Sequence, residues 1–166
     1  MTLSWDLFVI LFFVIMAVYG FLLGPSRVFN ILLSTYAGLA IADGVGEFVY
    51  DYLQGITQIS HSVTISLFGA KIFVFALVVF VLTLHSELVG IKEDLSSSKV
   101  WTVIYGILAA GLILSSVIAL MSVGERVAFL DVSPLAGSVY RLQVAWLIAP
   151  ILTIVIANIA GRFSKR

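Results

Sequence analysis

The sequence predicts an all-α polytopic membrane protein with about five transmembrane helices and short interfacial helices. Long apolar runs without a charged side chain are the first observation, and the clearest of them cover 7–26, 100–124 and 142–161. Composition is the second, because 61% of the residues are hydrophobic and 11% are charged, with a mean hydropathy of +1.17. Soluble domains carry about 25% charged residues, and a bilayer core of ~30 Å needs about 20 apolar residues as helix.

One membrane domain, 1–166, accounts for the whole chain, because its length leaves no room for a second domain beside the spans. The apolar runs and their flanking residues predict helices at about 3–23, 28–50, 63–84, 99–121 and 144–160. Two segments that mix apolar and polar residues are predicted as interfacial, at 86–98 and 133–142.

The first helix ends at Gly24, where glycine permits a turn, and Pro25 fits the first turn of the next helix. We expect this first helix to be retained rather than cleaved as a signal peptide. The segment before its apolar run has no basic residue and carries Asp6 instead.

The second helix carries small side chains at every fourth residue, which places them on one face. They are Ser34, Gly38, Ala42 and Gly46. Small residues let membrane helices approach closely, so we expect this stripe to be a packing surface, within the chain rather than between subunits.

Acidic residues follow the same spacing on a neighbouring face, at Asp43, Glu47 and Asp51. We interpret them as a solvated face where the helix leaves the membrane and continues for a turn or two. A cation site that includes His61 is the alternative, since carboxylate oxygens bind hard cations. The polar residues 54–62 are predicted to form a loop.

The third helix contains Lys71, and the fourth begins after three serines that offer N-cap side chains. The fourth helix repeats the small-residue spacing, which predicts a second packing helix. Its packing residues are Gly106, Ala110, Gly111 and Ser115.

The interfacial segment before the fifth helix begins with Ser133 and Pro134, which suit the N-cap and first position of a short helix. The fifth helix contains Pro150, and we expect a kink there. If this helix instead lay on the membrane surface, four spans would remain.

The first forty residues resemble the colicin V production protein (CvpA) family of bacterial inner-membrane proteins. The resemblance is carried by Asp6 and by the segment GFLLGPSRVFNILLSTYAG, in which Gly24 stands three residues before Arg27. The chain departs from the family pattern at Leu23, where an arginine is usual, and at Val28, where an acidic residue is usual.

A second stretch, LSSSKVWTVIYGILAAGLILSSV, is similar to the family's loop and glycine-rich helix, and Gly111 fits its pattern. Gly106 is displaced by about one residue, and Ala110 stands where the family has an arginine. The resemblance implies a bacterial inner-membrane protein connected with toxin production and the envelope. The family has no agreed biochemical activity, so the resemblance supplies no mechanism.

Lys71 is the most informative single side chain, because an ionisable group inside a span is costly, by about 3 kcal/mol on insertion scales. Asp6 is its predicted partner, since both lie in the same half of the membrane under the topology below. The alternatives are that Lys71 extends toward the interface or makes a purely structural ion pair.

No enzyme is predicted, because the chain has no cysteine and no nucleophile motif around any serine. We expect no metal site and no cofactor, and the sparse basic residues predict no nucleic-acid surface. The leading function hypothesis is a membrane scaffold or assembly subunit whose partners are the lipid bilayer and other subunits or copies of itself. An oligomeric channel or small transporter that uses Lys71 and Asp6 is the alternative.

Orientation follows from lysines and arginines in the loops, because the cytoplasmic side is enriched in them. With the N-terminus outside, six basic residues lie on the inner side and two, Arg126 and Arg141, on the outer side. This predicts an external N-terminus and a cytoplasmic C-terminus in the bacterial inner membrane.

Single introduced cysteines test this orientation, since the chain has none of its own. Gln58→Cys should react with a membrane-impermeant maleimide in intact cells, and Ser164→Cys should react only after permeabilisation. The reverse labelling pattern would contradict the orientation, and external labelling of both positions would remove the fifth helix as a span.

Overall fold

The computed structural model describes residues 4–60, 66–85 and 99–164, and over those ranges it contains helices, caps and turns but no strand. The all-helical prediction is confirmed for these residues. Seven helices follow in chain order: α1 (Trp5–Leu23), α2 (Pro25–Ser60), α3 (Leu67–Leu84), α4 (Lys99–Leu120), α5 (Val123–Val132), α6 (Pro134–Arg141) and α7 (Gln143–Ser164).

Four helices, α1 to α4, are each long and apolar enough to cross a membrane. α6 and α7 meet the same criterion only together, as a pair bent by 57° at the residue between them. By length and composition, the described residues therefore contain four candidate spans, or five if the bent pair is one span.

The break between α1 and α2 has the predicted form. Gly24 has a φ of 85°, a left-handed conformation that glycine adopts without strain, and its N–H donates to the carbonyl of Gly20 at 3.1 Å. Pro25 is the first residue of α2. At the other end of α1, the Ser4 hydroxyl accepts from the N–H of Leu7 at 3.3 Å and caps the helix.

α2 is longer than predicted, because it continues to Ser60 rather than ending near residue 50. The predicted loop at 54–62 is wrong as far as Ser60, and residues 61–62 lie outside the described ranges. A helix of 36 residues is ~54 Å long, so its last turns exceed a bilayer core and can be polar. Gln54 Nε2 donates to the hydroxyl of Tyr50 at 2.6 Å, one helical turn earlier.

α3 begins at Leu67, where the Ser66 hydroxyl accepts from the N–H of Gly69 at 3.0 Å and serves as the N-cap. The predicted start at residue 63 and the predicted interfacial segment 86–98 both lie outside the described residues. α4 agrees closely with its predicted range.

α5 was not predicted as a helix, yet a capping box at its start encodes it. The Glu125 N–H lies 3.4 Å from the Ser122 hydroxyl oxygen, and Ser122 N–H donates to the Glu125 carboxylate at 3.0 Å. α6 has the predicted cap, with Ser133 as N-cap and Pro134 at the first position.

α4 occupies the centre of the bundle, where it packs on α1, α2, α6 and α7 and touches α3. Of its segment Trp101–Leu120, 67% is buried, compared with 11% of Trp5–Leu22 in α1. α3 packs mainly on α2. The largest fully buried side chains lie on α2 and α4 and include Leu32, Leu112 and Ile118.

The small-residue stripe of α2 faces α3. A Cβ added to Gly38 would lie 2.9 Å from Val79 Cγ2, and one added to Gly46 would lie 2.5 Å from Lys71 Cγ. The other two members of the stripe, Ser34 and Ala42, are also buried. The stripe therefore packs inside the chain.

The small residues of α4 lie at its contacts with α1 and α7. A Cβ on Gly106 would lie 2.5 Å from the backbone oxygen of Met16, and one on Gly111 would overlap the ring of Trp146. Ala110 and Ser115 are buried in the same helix. Gly20 of α1 completes the α1–α4 crossing, since its Cβ would lie 2.8 Å from the backbone oxygen of Thr102.

Candidate functional site

Most of the charged contacts of the described residues lie at one end of the bundle, where α1 begins and α4 ends. We call this the polar end and define it by Asp6, Lys71, Arg126 and Ser133 together with the end of α4 at Leu120. The polar end is the external end in the predicted orientation. It contains the two residues, Asp6 and Lys71, that the sequence singled out.

Asp6 joins α1 to the start of α6. Its carboxylate accepts from the Ser133 hydroxyl at 2.6 Å and from the N–H of Leu135 at 3.2 Å. Ser133 is fully buried, and its own oxygen accepts from the N–H of Ala136 at 3.3 Å. A carboxylate at a helix N-terminus is favoured by the helix dipole and by the free N–H groups there, so Asp6 caps α6 from another helix.

Lys71 joins α3 to α2. Its ammonium lies 3.4 Å from the Asp43 carboxylate and 3.7 Å from that of Glu47, and its aliphatic stem covers Gly46. The Lys71 side chain is 12% exposed, whereas those of Asp43 and Glu47 are 76% and 72% exposed. Pairs with such exposed partners contribute roughly 0–1 kcal/mol, so they hold the lysine only loosely.

The predicted pair between Asp6 and Lys71 is corrected by these contacts, because each side chain has other partners. Both residues lie at the polar end, but depth in the membrane does not determine which helices are neighbours. α1 packs on α4 and α6, whereas α3 packs mainly on α2. The nearest carboxylates to Lys71 are therefore the ones that the sequence assigned to a solvated face.

That acidic face is exposed at Asp43, Glu47 and Asp51. No group of three or more metal-ligating side chains of the His, Cys, Asp and Glu types occurs among the described residues. The cation site considered for this face also needed His61, which lies outside the described ranges.

Arg126 is a polar-end residue that sequence reasoning missed. It donates to the backbone oxygens of Ala119 and Met121 at 3.1 and 2.8 Å, and to the hydroxyl of Tyr140 at 2.6 Å. These bonds satisfy carbonyls that the end of α4 leaves free, and a cation suits the negative end of a helix dipole. The sequence does contain a signal for this role, because Arg126 follows closely after the apolar run 100–124, where a cation can stabilise the C-terminal end of the helix.

Tyr36 was also missed, although it lies in the middle of α2. Its hydroxyl donates to the backbone oxygen of Leu147 at 2.5 Å and so joins α2 to α7. Pro150 has no N–H to donate within α7, which disturbs the hydrogen bonds of the preceding turn. The tyrosine supplies a donor in that turn.

The residues that carry the family resemblance lie apart from one another. Gly24 and Arg27 lie at the turn between α1 and α2, at the opposite end from Asp6, and Arg27 is exposed. Gly111 lies against Trp146 in the middle of α4. The structure therefore does not gather these residues into one site.

Two cavities adjoin the polar end. A cleft of about 560 Å³ lies between the ends of α2 and α4 and the starts of α3 and α5, and Lys71, Glu125 and Arg126 line it. An open groove of about 570 Å³ runs between α1 and α3 over α4, with almost entirely apolar walls. Phe68 lines both cavities.

Glu125 is a fixed negative charge in the polar cleft. Hydrogen bonds from the Ser122 side chain, and then from the Ser122 backbone, lower the pKa of this carboxyl from its usual value of 4.5, against a smaller opposing effect of burial. The Glu125 carboxylate is held by Ser122 within the α5 cap. The cleft is therefore lined by one fixed carboxylate and two cations, Lys71 and Arg126.

Comparison of the chain with protein-family models, with curated proteins and with solved structures finds no match.

A double-mutant cycle tests the tie between Asp6 and Ser133. Asp6→Asn and Ser133→Ala should each lower the thermal unfolding temperature in detergent, and the double variant should lose less than the sum, since both remove one interaction. Coupling of roughly 0.5–3 kcal/mol is typical of residues in one network.

The control cycle combines Asp6→Asn with Lys71→Met, whose effects should add to within about 0.5 kcal/mol because the two side chains share no partner. Coupling in the control cycle and additivity in the first would restore the Asp6–Lys71 pair and contradict the geometry.

Proposed function

We propose that the chain is a non-enzymatic integral membrane scaffold or assembly subunit of the bacterial envelope. The observation that carries the proposal is the use of the ionisable groups at the polar end. Asp6 joins α1 to α6, Lys71 joins α3 to α2, and Arg126 joins α5 to α4 and α6. Asp6 and Arg126 hold helix ends together, and Lys71 is paired with two exposed carboxylates, so each group has a structural partner.

A multi-pass location in the inner membrane is part of this proposal. Support comes from the four or five helices that could span a bilayer and from their outward apolar faces. On α1 alone, large hydrophobic side chains such as Phe8, Leu11 and Ile15 are about half exposed. The loop distribution of lysine and arginine supports an external N-terminus and a cytoplasmic C-terminus.

Other membrane subunits, or copies of the same chain, are the proposed partners within the bilayer. A connection with toxin production or export rests on the resemblance to the CvpA family alone, through Asp6, Gly24, Arg27 and Gly111. The proposal includes no cofactor and no nucleic acid.

The channel or transporter hypothesis was motivated by Lys71, Asp6 and the acidic face of α2. The two side chains have separate partners, and each of those partners explains its residue structurally. The scaffold proposal is therefore the better supported of the two.

Reconstitution tests the proposal against a transporter. Purified protein in a mild detergent should have a mass above that of one 18.0-kDa chain, and proteoliposomes should pass protons and potassium no faster than protein-free vesicles. An ion flux that is abolished in Lys71→Met would contradict the scaffold and establish the channel or transporter, whatever the number of subunits.

A further inference from the structure

We propose that the polar cleft and the apolar groove together form one phospholipid-binding site, with the phosphate beside Lys71 and Arg126 and an acyl chain along α3. The site rests on the membrane embedding proposed above, but it does not depend on the scaffold role. The two cavities require a ligand of two parts, an anionic group for the cleft and a hydrocarbon chain for the groove.

The groove has the dimensions of an acyl-chain site. Its α3 wall runs from Phe68 to Thr83, which is ~22 Å of helix at 1.5 Å per residue. Met16 and Tyr19 of α1 form the opposite wall, and Val117 of α4 contributes to the floor. Its volume of about 570 Å³ lies within the ~300–1,000 Å³ typical of small-molecule sites.

The polar cleft supplies two cations for a phosphate, Lys71 and Arg126, beside the fixed carboxylate of Glu125. The Lys71 ammonium is held only by two highly exposed carboxylates, so it can turn toward a stronger acceptor without leaving a buried charge unpaired. Arg126 also lines the cleft, and its Nε is buried without a hydrogen-bond partner among the described residues. Phosphate accepts charge-assisted hydrogen bonds from both residue types.

The depth of the cations matches the depth of a lipid headgroup. Lys71 is the fifth residue of α3, and Arg126 follows the end of α4, so both lie where the spanning segments end. The polar headgroup region of a bilayer begins at this level, just outside the hydrocarbon core. A soluble phosphate would use only the cleft and leave the groove unexplained.

Phe68 connects the two parts, because its side chain lines both the cleft and the groove. The two cavities therefore meet at this residue, and the proposal places the junction between the headgroup and the acyl chain there.

Native mass spectrometry of the intact chain tests the proposal with two matched lipids. Palmitoyl-oleoyl phosphatidylglycerol should remain bound, and the diacylglycerol with the same chains, which lacks only the phosphate headgroup, should not. Lys71→Gln should lower phosphatidylglycerol binding about tenfold, the effect of losing one hydrogen bond to a charged group, and Lys71→Arg should retain it.

The groove is tested by Ala76→Phe, which places a ring in the cavity from an exposed position on its wall. Binding should again fall about tenfold, through loss of buried chain methylenes at ~0.8 kcal/mol each. Leu77→Phe, at an exposed residue outside the groove, and Arg27→Gln, at an exposed cation of the other end, are matched controls that should bind normally. Thermal unfolding without lipid establishes that each variant is folded.

Equal retention of diacylglycerol would overturn the proposal, as would unchanged binding in folded Lys71→Gln or Ala76→Phe. Displacement of the lipid by glycerol phosphate at similar concentration would also overturn it, since the headgroup alone would then account for binding. The same spectra report the number of subunits. A lone chain that still binds phosphatidylglycerol in this way would count against the scaffold and leave the lipid site intact.

Discussion

Close approach of helix backbones around α4 is the constraint on which the rest of the structure depends. At the α1–α4 crossing, Gly20 and Gly106 leave no room for a Cβ, because backbone oxygens of the facing helix lie within 3 Å of where it would be. Gly111 meets the ring of Trp146 in the same way. In a bilayer, where burial of apolar surface between helices gains little over lipid, such contacts provide the van der Waals packing that holds a bundle together.

α4 is enclosed by neighbouring helices. The backbone carbonyls of its last turn have no partner within the helix, so other elements must supply hydrogen-bond donors there. The carbonyls at that end accept from Arg126, which is also bonded to Tyr140 of α6. Asp6 then holds the start of α6 to α1. Hydrogen bonds from Asp6 and Arg126 thus join helix termini at the polar end. Arg126 also lines the cleft beside them.

Sequence reasoning predicted what depends on local pattern. The long apolar helices, the turn at Gly24 and the cap at Ser133 follow from hydropathy, backbone freedom and capping chemistry, all of which act over a few residues. The length of α2 was underestimated because polarity was interpreted as a loop, although a helix beyond the membrane can be polar. α5 was missed despite its Ser122–Glu125 box, since a short helix with little apolar patterning gives a weak signal.

The hydrogen-bond and ion-pair partners of the charged side chains were not predictable, because they depend on which helices pack side by side. The partners of Lys71 and Asp6 are set by α2–α3 and α1–α6 packing, and neither a common depth nor a charge pattern encodes that arrangement. The bond from Tyr36 to Leu147 is of the same kind, since it joins residues 111 positions apart. The cavities also result from packing, and no motif in the sequence marks them.

The central claim is that α1 and α4 approach closely at their glycines. It is tested most directly by thermal unfolding of two alanine variants, one at a crowded glycine and one at an open glycine. Gly106→Ala should lower the free energy of unfolding by about 1–3 kcal/mol, because the new methyl meets the backbone of α1 and cannot be accommodated by a side-chain rotation. Gly44→Ala, where nothing lies within 4 Å, should raise it by up to about 1 kcal/mol through helix propensity. Equal stabilisation by both substitutions would show that the α1–α4 crossing is not close, and would contradict the account.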